Sequence, residues 1–125
     1  MKNIKFHYLY RDAGNYKKWA KVVFSNPDRL SLDRTTEALR GAFLQDGLFI
    51  ASQVRLPEIF FSARGNATSD DHCFHEFDII EKTIESPNDH YTRSIGEFLA
   101  EVQREAKRGW AAFDPHEQVS QTILG

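Results

Sequence analysis

Residues 70–78 read Asp-Asp-His-Cys-Phe-His-Glu-Phe-Asp, which puts acids, two histidines, the only cysteine and two phenylalanines into one short run. These types could ligate zinc or non-haem iron, move protons, or stack on a ligand ring. The neighbours read as β-strand. In an extended chain, His72, Phe74, Glu76 and Asp78 share one face, and Cys73, His75, Phe77 and Ile79 share the other. Each face mixes polar and apolar groups, and such a break in the inside/outside pattern marks a candidate site.

A metal site would use His72, Glu76 and Asp78, with His75 or Cys73 joining from a bend. Three ligands along one strand lie too far apart to converge without a bulge, so a polar strand edge is the plainer alternative. A metal-dependent hydrolase or phosphodiesterase built on His72, His75 and Glu76 is the enzymatic alternative. Cys73 is a poor nucleophile candidate, because adjacent side chains on a strand point apart, and neither a Gly-rich phosphate loop nor a G-x-S-x-G turn is present. For a ligand, Phe74 or Phe77 could stack on a nucleobase, an interaction of roughly 1–3 kcal/mol per base. Asp78, Glu76 or Asn88 could then read a base edge or ribose hydroxyls. Against this stands the reading of both phenylalanines as core.

The second constellation is on the last helix. Its apolar stripe runs through Ile95, Phe98, Leu99, Val102 and Ala106, and Arg104 and Arg108 lie roughly opposite, one turn apart. Paired guanidiniums can clamp a phosphate with forked hydrogen bonds. The alternative is a solvated face on which the arginines pair with Glu97 and Glu101.

The elements that must position these groups follow from pattern. Residues 4–10 and 16–25 read as strands of an antiparallel hairpin, joined through the turn cluster at 12–15 and stopped by Asn26-Pro27-Asp28. Ser31 caps a helix with Leu32, Thr36, Leu39 and Phe43 at helical spacing, and Gly47 ends the turn after it. Residues 48–52 and 58–61 read as short strands, 63–71 as a loop, 74–83 as one strand and 85–90 as a loop. Ser94 and Glu97 form a capping box for the last helix, which Gly109 stops. Trp110 and Phe113 are expected to fold back on the core, with a tail after Pro115. Strands, helix, strands, helix gives α+β with an antiparallel sheet as the class, in a single domain over 1–125.

Bulk composition narrows the function. Hydrophobic residues make up 41% and charged residues 27% of the 125, with a net charge of −2, which argues against a nucleic-acid polymer as partner. Ten phenylalanines suit a ligand pocket or a subunit interface as well as a core. One cysteine leaves no internal disulfide, which fits a reducing cytoplasm, and neither a signal peptide nor a membrane span is expected.

Several segments together resemble a known family. They are Phe-His-Tyr-Leu-Tyr-Arg-Asp-Ala-Gly-Asn-Tyr-Lys at 6–17, Phe24-Ser25-Asn26-Pro27, Asp-His-Cys-Phe-His-Glu-Phe at 71–77, and the Arg104/Arg108 helix with Gly109-Trp110. They resemble the first-described family of phage anti-Thoeris proteins, small sponges that sequester a bacterial immune signal, over residues 4–113. The resemblance implies a non-enzyme without cofactor or metal, acting in the cytoplasm of the infected bacterium. It would bind glyco-cyclic ADP-ribose, the product of TIR-domain enzymes, without degrading it. Members assemble as dimers that combine into hexamers, and some also hold cyclic trinucleotides of CBASS-type cyclases at separate sites, for which this sequence offers no firm match. In the family an aromatic stacks on the adenine and a helical arginine pair holds the phosphates. Phe77, Arg104 and Arg108 match those positions, and Asn88 matches a polar contact to the ligand. The arginine face then implies a pocket closed by a second subunit.

Overall fold

A computed structural model describes residues 2–12, 14–59 and 73–112. The elements are β1 (Asn3–Arg11), β2 (Lys17–Phe24), α1 (Leu32–Ala42), β3 (Leu48–Phe49), β4 (His75–Thr83) and α2 (Ile95–Arg108), with single 3-10 turns at Gln45–Gly47 and Ala51–Val54. The class is the expected α+β: a four-stranded antiparallel sheet in the order β2-β1-β4-β3, with the longer helix C-terminal. No helix among the described residues is long and apolar enough to cross a membrane.

The hairpin forms because β1 and β2 alternate in step. Ile4, Phe6 and Tyr8 pair with Phe24, Val22 and Ala20 and turn the same way, toward the helices. Phe6 is the hub of the core. Its ring lies within 6.5 Å of six others, those of Tyr8, Phe24, Phe43, Phe49, Phe77 and Phe98. Most of the surplus phenylalanine is therefore spent on this layer between sheet and helices.

Both helices begin where the sequence places their caps. Ser31 Oγ accepts from Arg34 N–H. Ser94 and Glu97 close a capping box in both directions, and Gly109 ends α2 at φ 102°, a conformation that side chains resist. Trp110 folds back as expected, its indole N–H donating to the Ala42 carbonyl at the end of α1.

Three expectations change. The strand expected over 48–52 shrinks to Leu48–Phe49, because the chain turns into a 3-10 segment at Ala51 and leaves it with Arg55 left-handed at φ 57°. Of the strand expected over 58–61, Glu58 and Ile59 are irregular, and the rest lies outside the described residues, as do Phe113 and the tail. In β4 the register slips: Tyr8 faces Phe77 but Phe6 faces Ile80, so three steps on β4 match two on β1. This bulge turns Ile79 out to solvent and brings Phe77 and Ile80 to the core side, which plain alternation forbids.

Candidate functional site

The candidate site grows from α2. Its apolar stripe is buried through Ile95, Phe98 and Val102, and the opposite face carries Arg104 and Arg108, whose side chains are 63% and 74% exposed. Two acids flank that stripe and are themselves buried, Glu101 and Glu105. Each holds one arginine at i+3. Arg104 Nη2 lies 3.8 Å from Glu101 Oε1, and Arg108 Nη1 lies 3.3 Å from Glu105 Oε2. Glu97, the other expected partner, is committed to the cap. Each carboxylate touches its arginine through a single nitrogen, so most of each guanidinium fork faces solvent.

Glu101 also anchors a deeper network. Arg93 is buried and spends all five of its N–H donors: two on Asp89 at 2.9 Å, one on Glu101 at 3.1 Å, and one each on the carbonyls of Val54 and Arg55. Arg55 closes on Glu101 from outside with Nε and Nη2. Tyr91, 51% exposed, rests against both arginines, with Arg55 Cζ at 4.3 Å and Arg93 Cζ at 5.3 Å from its ring centre. One continuous surface thus runs from Tyr91 through Arg55 and Glu101 to Arg104. One turn further, Arg108 and Glu105 line an open groove of 440 Å³ with Ile50, Ser52, Gln53 and Gly109. Gln53 fixes its far wall by donating to the Gly109 carbonyl and accepting from Ala111 N–H.

The electrostatics give a pH dependence. Hydrogen bonds from Arg55, opposed in part by burial, hold the Glu101 carboxyl below its ordinary 4.5. Burial raises Asp89, but bonds from the Arg93 side chain and backbone outweigh it and leave the carboxyl below its ordinary 3.8. Depressed carboxyls stabilise the fold above the unfolded-state values, and that stability is lost as pH falls through the folded ones. Glu85 adds a weaker contribution of the same sign beside Lys5, whereas burial raises Glu58 and works the other way. The urea midpoint should be flat from pH 7 to about 5 and fall below about 4.5. Asp89→Asn should blunt that fall; an unchanged acid limb in the variant would place the titrating groups elsewhere.

The remaining expected site residues are engaged in packing and in a loop clamp. Phe77, expected to stack on a base, is 4% exposed. Its ring lies against Phe6 at 5.2 Å and Phe43 at 5.7 Å, with Arg40 at 4.9 Å, because its place opposite Tyr8 turns it toward the helices. It offers no open ring face in this chain. Asn88 is structural too. Its side-chain carbonyl accepts from Val23 N–H at 2.8 Å, and its own N–H donates to the Val23 carbonyl at 3.0 Å, clamping the loop to the edge of β2. No family model, curated protein or solved structure matches this chain.

The metal and hydrolase expectation likewise meets its geometry. His75 is fully buried, its Nε2 accepts from Ile59 N–H at 3.0 Å, and its ring packs near Tyr10. Glu76 points to the other face, where Arg11 Nε holds it at 2.9 Å. The two therefore do not converge, His72 lies outside the described residues, and no group of three metal-ligating side chains occurs among the described residues. Sequence reasoning missed Arg55, Tyr91, Arg93 and Asp89. The one available signal was Asp89-x-x-x-Arg93 just before the capping box, a spacing that reads as an ordinary ion pair.

Proposed function

We propose that the protein is a non-catalytic binder of a small cyclic nucleotide of the cyclic ADP-ribose type, withholding that signal from the Thoeris defence of an infected bacterium. The observation that carries this reading is the Arg104/Arg108 pair. Two guanidiniums stand one helical turn apart on an exposed face, each steadied at one corner by a buried carboxylate. That arrangement suits two phosphate groups of one small ligand better than a polymer backbone, and the net charge of −2 agrees. The resemblance to the anti-Thoeris sponges supplies the ligand class.

The same surface adjusts the expected contacts. The exposed aromatic linked to this face is Tyr91, which rests on Arg55, and Arg55 shares Glu101 with Arg104; Phe77 is buried, so Tyr91 takes the stacking role in this proposal. The groove below Arg108 is open on one side, and a second copy closing over it would complete the pocket. The test is to load the protein with glyco-cyclic ADP-ribose, wash, denature by heat and identify what is released. Unchanged ligand in near-stoichiometric amount is the expected result. Release of a cleaved product would instead establish an enzyme, and a washed protein that releases nothing would remove the signal as its ligand.

A further inference from the structure

The opposite end of the molecule carries a second set of cations. Lys2 precedes β1, Lys82 sits on β4 across from Ile4, and Arg29 sits in the turn between β2 and α1. Together with Asn26 and Leu30 they line a pocket of 240 Å³. No side-chain ion pair or hydrogen bond engages Lys2, Arg29 or Lys82 among the described residues, which sets them apart from Lys5, Arg11, Arg55 and Arg93, each bound to a carboxylate.

The turn that presents Arg29 is built tightly. Asn26, itself buried, accepts from Leu30 N–H at 2.9 Å and donates to the Leu30 carbonyl at 3.1 Å, while Arg29 N–H donates to the Asn26 carbonyl. Within it Arg29 has φ 54°, a left-handed conformation that glycine would adopt at less cost. A strained, stapled backbone position that ends in a guanidinium with no ion pair among the described residues points to use.

Both helices start near this end. α1 follows directly from Leu30, and the first N–H of α2, on Ile95, donates to the Ser25 carbonyl. Their N-termini add positive potential. The nearby acids are placed at those helix starts. Asp33 lies in the first turn of α1, and Asp28 Oδ2 lies so close to Gly96, in the first turn of α2, that a Cβ there would meet it at 3.2 Å.

We propose that Lys2, Arg29 and Lys82 form an anion site for a phosphate group, separate from the arginine face of α2. Its occupant is a phosphorylated small molecule, gripped by one forked guanidinium and two ammonium groups. The site does not depend on the signal-binding reading.

Pyrophosphate is the probe, titrated calorimetrically into an Arg104→Ala/Arg108→Ala protein so that the α2 face contributes nothing. One equivalent should bind, and Arg29→Gly and Lys82→Met should each weaken it about 10-fold or more. Arg29→Gly relieves the left-handed strain, so its melting temperature should hold or rise while binding falls, a combination that a structural role for the arginine would not give. No binding in the parent background, or unchanged affinity in both variants, would overturn the site.

Discussion

Replacing Arg93 with methionine should lower the unfolding free energy by about 3–5 kcal/mol, among the larger losses a single substitution can cause here. The size follows from what is left behind. Asp89 and Glu101 lose a buried cation, and the carbonyls of Val54 and Arg55 lose donors. Methionine fills much of the space beside the stacked rings of Phe24 and Phe98 that the guanidinium covered, so the loss reports unpaired charge rather than a void. Adding Asp89→Leu should recover part of it, because removing both partners costs less than stranding one. Urea unfolding of the two single variants and the double gives the coupling. A loss under about 1 kcal/mol for Arg93→Met would mean that solvent reaches the network.

The second large effect concerns ligand, not fold. Arg104→Ala with Arg108→Ala should weaken binding of glyco-cyclic ADP-ribose by at least about 100-fold, since each hydrogen bond to a charged partner contributes roughly 1.5–3 kcal/mol. Glu101 keeps Arg55 and Arg93, but the buried Glu105 loses its ion pair, so stability should fall by about 1–3 kcal/mol while the double variant stays folded. Unaltered affinity in a folded double variant would remove the α2 face from the site.

The hairpin, both helix starts and the stop at Gly109 were legible because each is written locally, in alternation, in a serine three residues before the N–H that donates to it, or in a glycine at the end. The shortening of β3 was not. The strand ends where the chain turns into the 3-10 segment at Ala51, and the carbonyls of Val54 and Arg55 at the end of that segment accept from Arg93, a contact between distant segments. The fate of Phe77 was hidden for the same kind of reason. Periodicity correctly set it on the face opposite Glu76, but only pairing with Tyr8 determines which face is covered. Arg104 and Arg108 emerged on the expected side of α2, since a helical wheel needs no partner element. Arg55 and Arg93 meet Glu101 from 46 and 8 residues away, and no local pattern announces that convergence.

The Asn88 clamp has a consequence for how copies of this chain could meet. β2 is an outer strand, and Asn88 occupies its outward groups at Val23, while β3 on the other side is two residues long. Growth in the plane of the sheet is thereby confined to the stretch 17–21, where Lys17, Lys18 and Lys21 would confront their own counterparts in an antiparallel pairing. Like charges at that junction penalise a continuous sheet across two copies. Among the described residues the faces of the molecule are less obstructed than the sheet edges, and the half-open groove beside α2 is a surface that a junction between copies could seal.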